Sequence, residues 1–145
     1  MDASELAELR TMYIFTPAEG ETWGLTYQNL EAKLRERNPN EFVRVQDDPG
    51  GPVPGTDMLF GITLGDDELE GMAQLSPEGV AIKECSAHSA AAFVNWLREN
   101  VVPDGMALTF NTEWGLEEEV PDALVPDVPR PRLIAAFFAH LEQTL

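Results

Sequence analysis

The stretch 58–85, MLFGITLGDDELEGMAQLSPEGVAIKEC, decides the fold. Met58, Phe60, Ile62 and Leu64 recur at every second position, the period of a half-buried strand. GDDE supplies a turn, Leu69–Leu75 returns, SPEG supplies a second turn, and Val80–Lys83 runs again. Short strands joined by tight turns pair antiparallel with their neighbours, so the centre of the chain reads as a meander.

On the N-terminal side, FVRVQ (42–46) alternates as a strand, and DDPGGPVPGT (47–56) is dense enough in Pro and Gly to be an irregular loop. Thr26 caps a helix to about Arg37, with Tyr27, Leu30 and Leu34 at helical spacing and Asn38-Pro39 as its stop. TMYIFT (Thr11–Thr16) is rich in β-branched and aromatic residues and ends at Pro17, PAEGETWG is a loop, and Ser4–Arg10 leaves room for a short helix.

On the C-terminal side, Ser86 caps a helix over Ala87–Asn100 whose apolar stripe is Ala90, Phe93, Val94, Leu97 and Val101. VPDG ends it and MALTFN forms a further strand. Pro131 sits where a helix begins, and Leu133, Ile134, Phe137, Phe138 and Leu141 mark the buried face of the last helix.

The order β-α-β-β-β-β-α-β-α predicts one α+β domain over residues 1–145. Its expected form is a largely antiparallel sheet of about five or six strands, with roughly three helices packed mostly on one face. The predicted core is Ile14, Leu30, Leu34, Val43, Phe60, Ile62, Phe93, Val94, Leu97, Phe110, Leu133 and Phe137. No G-x-G-x-x-G or P-loop pattern occurs.

Twenty-six carboxylates oppose nine bases, for a formal net charge of −17. Neither Val45–Ile82 nor Glu99–Pro129 contains a Lys or Arg. A field of that sign repels nucleic acid and anionic lipid and speeds encounter with basic partners, so neither nucleic acid nor membrane is an expected partner. The single Cys85 excludes an intramolecular disulfide. MDASELAELR lacks the basic and apolar regions of a secretory signal, and no apolar run reaches the ~20 residues of a membrane-spanning helix, so the expected compartment is the cytoplasm. Arg outnumbers Lys seven to two, which, with abundant Ala, Gly and Pro, suggests a bacterial genome rich in G and C.

ECSAHS (84–89) holds the one nucleophile-like cluster, Cys85 with Ser86 and His88. A helix N-terminus would favour a thiolate, but adjacent Glu84 opposes it, and a small buried Cys beside a Ser cap is the simpler reading. One Cys and two His cannot supply a usual structural zinc set, and GDDELEG (65–71) lacks the EF-hand spacing, so no metal or other cofactor is expected. His140, near the end of the last helix, reads as a cation favoured by the helix dipole. Trp23 and Trp114 fall in loops and are free to stack on a ligand, whereas Trp96 reads as core.

The segment NTEWGLEEEVPDALVPDVP (111–129) reads as a long loop leaving a strand. Trp114, Leu116, Val120, Leu124 and Val125 can pin it to the body while its acids face outward. An aromatic anchor ringed by carboxylates suits an interface for a basic partner, which selects Trp114, Glu113, Glu117, Glu118, Glu119 and Asp122 as the partner-binding residues.

The resulting expectation is a non-catalytic acidic interaction domain for a basic protein. Toxin-neutralising immunity proteins and secretion chaperones share that size and charge, though no motif ties the chain to them. The alternative is a small enzyme or ligand-binding domain with a pocket between sheet and helices, using Cys85 and His88. A third reading is a homo-oligomer joined through the Phe137/Phe138 helix or an open sheet edge.

Overall fold

The computed structural model describes residues 2–48 and 55–145. Its elements are α1 (Ala3–Glu8), β1 (Thr11–Pro17), α2 (Tyr27–Arg37), β2 (Val43–Asp48), β3 (Gly55–Leu64), β4 (Asp67–Leu75), β5 (Glu78–Cys85), α3 (Ala87–Asn100), β6 (Leu108–Thr112), α4 (Glu113–Glu117), β7 (Ala123–Leu124) and α5 (Arg130–Thr144). All seven strands form one antiparallel sheet in the order β2-β3-β4-β5-β1-β6-β7.

The α+β class stands, but the counts rise to seven strands and five helices among the described residues. Helix α1, of six residues, fills the room read for a short helix at Ser4–Arg10, and the additions are α4 and β7, of five and two residues. Elements that short carry less than two turns or one alternation, so periodicity cannot register them. Of the loop expected at 47–56, Asp47 and Asp48 complete β2 while Gly55 and Thr56 open β3, and 49–54 lie outside the described residues.

The meander is built by two-residue turns. Leu64 pairs with Asp67 across Gly65-Asp66, and Gly65 has φ +62°, a value side chains resist. Leu75 pairs with Glu78 across Ser76-Pro77. Both expected helix caps form: Asn29 N donates to Thr26 Oγ1 at 3.1 Å and Ser89 N to Ser86 Oγ at 3.2 Å.

The core lies between the sheet and the helices. Phe60 stacks on Phe93 at 6.2 Å, Phe93 meets Phe15 at 6.0 Å, and Phe15 meets Phe137 at 6.4 Å. Phe137 also contacts Tyr13 and Phe110, at 5.2 and 4.7 Å. Gly71 pairs with Phe60 across β3 and β4, and a Cβ there would strike the Phe60 ring. Ten of the twelve predicted core residues are fully buried. Val43 is half-buried at the core's margin, and Ile14 is a correction: Tyr13 and Phe15 face the helices, so Ile14 points to the opposite side of the sheet.

The connection from β1 to α2 is tied down by one carboxylate. Glu78 accepts from Trp23 N at 2.7 Å, Leu25 N at 2.9 Å and Thr22 Oγ1 at 2.9 Å. Trp23, read from sequence as a loop aromatic free to stack, is therefore core: it is 5% exposed and donates Nε1–H to Ala107 O.

Phe93→Ala should cost about 3–5 kcal/mol of unfolding free energy, because it removes the ring linking β3 to β1. Ile14→Ala, on the other face, should cost under about 1.5 kcal/mol. Urea denaturation of both variants measures the difference, and equal costs would contradict the assigned phase of β1.

Candidate functional site

Since α2, α3 and α5 share one core and α1 packs against α3 and α5, the other face of the sheet carries none of them. Antiparallel partners point the same way, so register defines what that face presents. One row runs Arg44, Leu59, Met72, Ala81, Ile14, Asn111 across β2, β3, β4, β5, β1 and β6. Its middle is wholly apolar. Met12 extends it along β1, and Phe42 lies beside Gly61 at 57% exposure. An uncovered face of an antiparallel sheet ordinarily carries polar residues; here Glu68, Glu70 and Gln74 on β4, Asp57 on β3 and Thr16 on β1 do so, and the apolar row lies between them.

A bulge shapes one end of the face. Thr11 pairs with Cys85 but Tyr13 with Ile82, so two β5 residues, Lys83 and Glu84, oppose the single Met12. Both are exposed. They border an open groove of about 860 Å³ that also takes in the β3–β4 turn. Its charged lining is Asp66, Asp67, Glu68, Glu70, Glu84 and Glu113 against Arg10 and Lys83. Asp67 is held in place as acceptor from Ser89 Oγ–H at 2.7 Å.

The segment selected from sequence stands at the same end. It is not the irregular loop expected: Thr112 caps α4 by accepting from Gly115 N at 3.0 Å. Helix α4 ends in a Schellman arrangement, with Val120 N donating to Gly115 O and Glu119 N to Leu116 O. Glu119 adopts the left-handed position, φ 57°, where glycine is usual. Gly115 is required where it stands, because a Cβ would collide with Asn111 Oδ1 and crowd His140. Asn111 Nδ2 donates to Val120 O and Asp122 Oδ1, both at 2.9 Å, tying the acidic segment to the end of β6.

Glu113, Glu117, Glu118, Glu119 and Asp122 are all exposed, and Trp114 is half-buried. Glu113 reaches the groove, whereas Leu116 on α4 is 52% exposed. The apolar row itself was not among the residues selected from sequence. Its signal was present in TMYIFT, where consecutive apolar residues leave neither face polar.

Cys85 and His88 stand in different surroundings. Cys85 is 1% exposed, and burial pushes its thiol up to about 12. The His88 ring is exposed and packs against Phe138 at 5.8 Å. Among the described residues no group of three or more His, Cys, Asp or Glu is placed to hold a metal ion, and no helix is long and apolar enough to cross a membrane. Phe137 is wholly buried, so it cannot serve as the oligomer contact considered above.

His140 is also not the helix-end cation expected. It is buried, 2.9 Å from Thr112 Oγ1 through Nε2, and burial holds its imidazole below the usual range. Searches of protein-family models and of curated proteins give no match.

With its folded value lowered, His140 contributes stability that is fully present above its unfolded value near 6.5 and is lost as pH falls through the interval below it. The stability difference between the natural chain and His140→Gln should therefore shrink as pH falls from 8 toward 5, followed by urea denaturation. A constant difference would mean that His140 does not titrate differently on folding. Cys85 should resist iodoacetamide at pH 8 in the folded chain and react on unfolding.

Proposed function

We propose that this chain is a non-catalytic interaction domain whose acidic surface binds a basic protein partner. The observation that carries the reading is the groove with six carboxylates and two bases, opening onto an apolar sheet face that no described helix covers. An apolar centre with a charged rim is the general anatomy of a protein interface. The net charge of −17 gives long-range attraction for a basic partner without requiring any reactive group. The burial of Cys85, the chain's one thiol, at 1% exposure is in keeping with the same reading.

In this reading the exposed carboxylates of Glu113, Glu117, Glu118, Glu119 and Asp122 form the rim, and Trp114 anchors α4. A second reading takes the groove as a small-ligand site, favoured by its volume and by Arg10 and Lys83 converging with Ser89. Its charged, open lining suits a protein surface better than an enclosed ligand.

The test uses a basic protein captured on the immobilised chain, followed by stopped-flow kinetics at several salt concentrations. Replacing Glu117, Glu118 and Glu119 by Gln should slow association and reduce its salt dependence without lowering the melting temperature. Trp114→Ala should speed dissociation, at a cost above about 2 kcal/mol for an interface hot spot. Unchanged rates in both variants would remove α4 from the interface, and salt-independent association would overturn the electrostatic reading.

A further inference from the structure

Resting on the proposed basic partner, we infer that the open sheet face is the contact surface and that its occupant is one amphipathic helix, cationic at one end. Leu59, Met72, Ala81 and Ile14 lie side by side on β3, β4, β5 and β1. Three strand spacings make this band about 14 Å wide, close to the ~10–12 Å diameter of a single helix with its side chains. The backbone groups of these central strands are already paired within the sheet, so the face offers side chains and no free hydrogen-bonding edge. An extended segment laid across it would bury its own N–H and C=O groups unpaired, whereas a helix satisfies them internally. Seated there, the helix would give the sheet a second covering layer, a standard way to bury a sheet's apolar face.

Charge fixes the polarity of the occupant. Glu68 and Glu70 begin β4, Glu84 ends β5, and Glu113 follows β6, so all four stand at one end of the strands, beside the start of β1. Antiparallel pairing brings these termini together, and the apolar row lies beyond them along the strands. A helix running along β4, β5 and β1 meets Met12, Ile14, Met72 and Ala81 at its centre, Thr16, Gln74 and Pro77 toward one end and the carboxylates at the other. Met12 and Met72, both half-buried, supply adaptable surface for a stripe of Leu or Ile. A second copy of this chain fits poorly, because it would bring a like charge of −17 against these carboxylates.

The experiment labels the methionine methyl groups with carbon-13 and titrates the full chain with a synthetic amphipathic helix about five turns long. The peptide carries a Leu stripe with Lys clustered at one end, and a peptide of equal charge with Gln in place of Leu is the control. The Met12 and Met72 resonances should shift on binding, while those of Met58, which is buried, and Met106 stay in place. The control peptide and the Ile14→Thr/Met72→Thr variant should each bind at least tenfold more weakly.

Binding of the Leu peptide without shifts at Met12 and Met72, or equal binding of both peptides, overturns the open face as the contact while leaving a basic partner standing. Shifts at these methyls that appear on concentrating the chain alone would assign the face to a second copy. Failure of both peptides, together with failure to hold any basic protein at low salt, would overturn the basic-partner reading itself. The wild-type arms decide the matter even if the double variant does not fold.

Discussion

The line of rings Phe60, Phe93, Phe15 and Phe137 holds the structure together, each ring 6.0–6.4 Å from the next. It joins β3 to α3, α3 to β1, and β1 to α5, so residues far apart in sequence share one continuous contact. Large aromatic surfaces dominate the burial energy of a chain this size, and these four are wholly buried. The same line explains Gly71, since the Phe60 ring occupies the space its side chain would need. It also explains why the helices gather on one side. All the rings are on one face of the sheet, so a helix gains most by packing there.

Polar groups then fix what the rings leave loose. The Glu78 carboxylate gathers donors from Thr22, Trp23 and Leu25, so a turn residue of the meander positions the loop that brings Trp23 into the core. Thr112 does comparable work at the other end, capping α4 while meeting His140 on α5. Charge-assisted and buried hydrogen bonds are costly to leave half-made, so each of these residues ties two segments to a single arrangement. The buried Tyr13 hydroxyl stands apart: it has no hydrogen-bond partner among the described residues, and burial raises its pKa well above the usual tyrosine range.

One-sided packing leaves the opposite face of the sheet without a described helix. The face opposite the rings keeps an apolar middle and collects carboxylates at one end, because antiparallel strands and the β5 bulge bring Glu68, Glu70, Lys83 and Glu84 close to Glu113. That juxtaposition is what the interaction reading rests on. The acidic run after β6 is tied to the end of that strand by Asn111.

The sequence by itself determined the class of the fold, the three principal helices with the Thr26 and Ser86 caps, and the meander, because each is a local pattern of period or turn chemistry. It also determined the sign of the surface field, which is a sum over residues and needs no coordinates. It did not determine which face of β1 is buried: Met12 and Ile14 on one side are as apolar as Tyr13 and Phe15 on the other. Only pairing with β5 and β6, with the helices on one side, broke that tie. The short elements α4 and β7 likewise depend on partners distant in the chain, His140 and Thr109 among them. The groove was beyond local reading for the same reason. Its carboxylates come from three separate segments, and only the antiparallel register brings them to one end of the sheet.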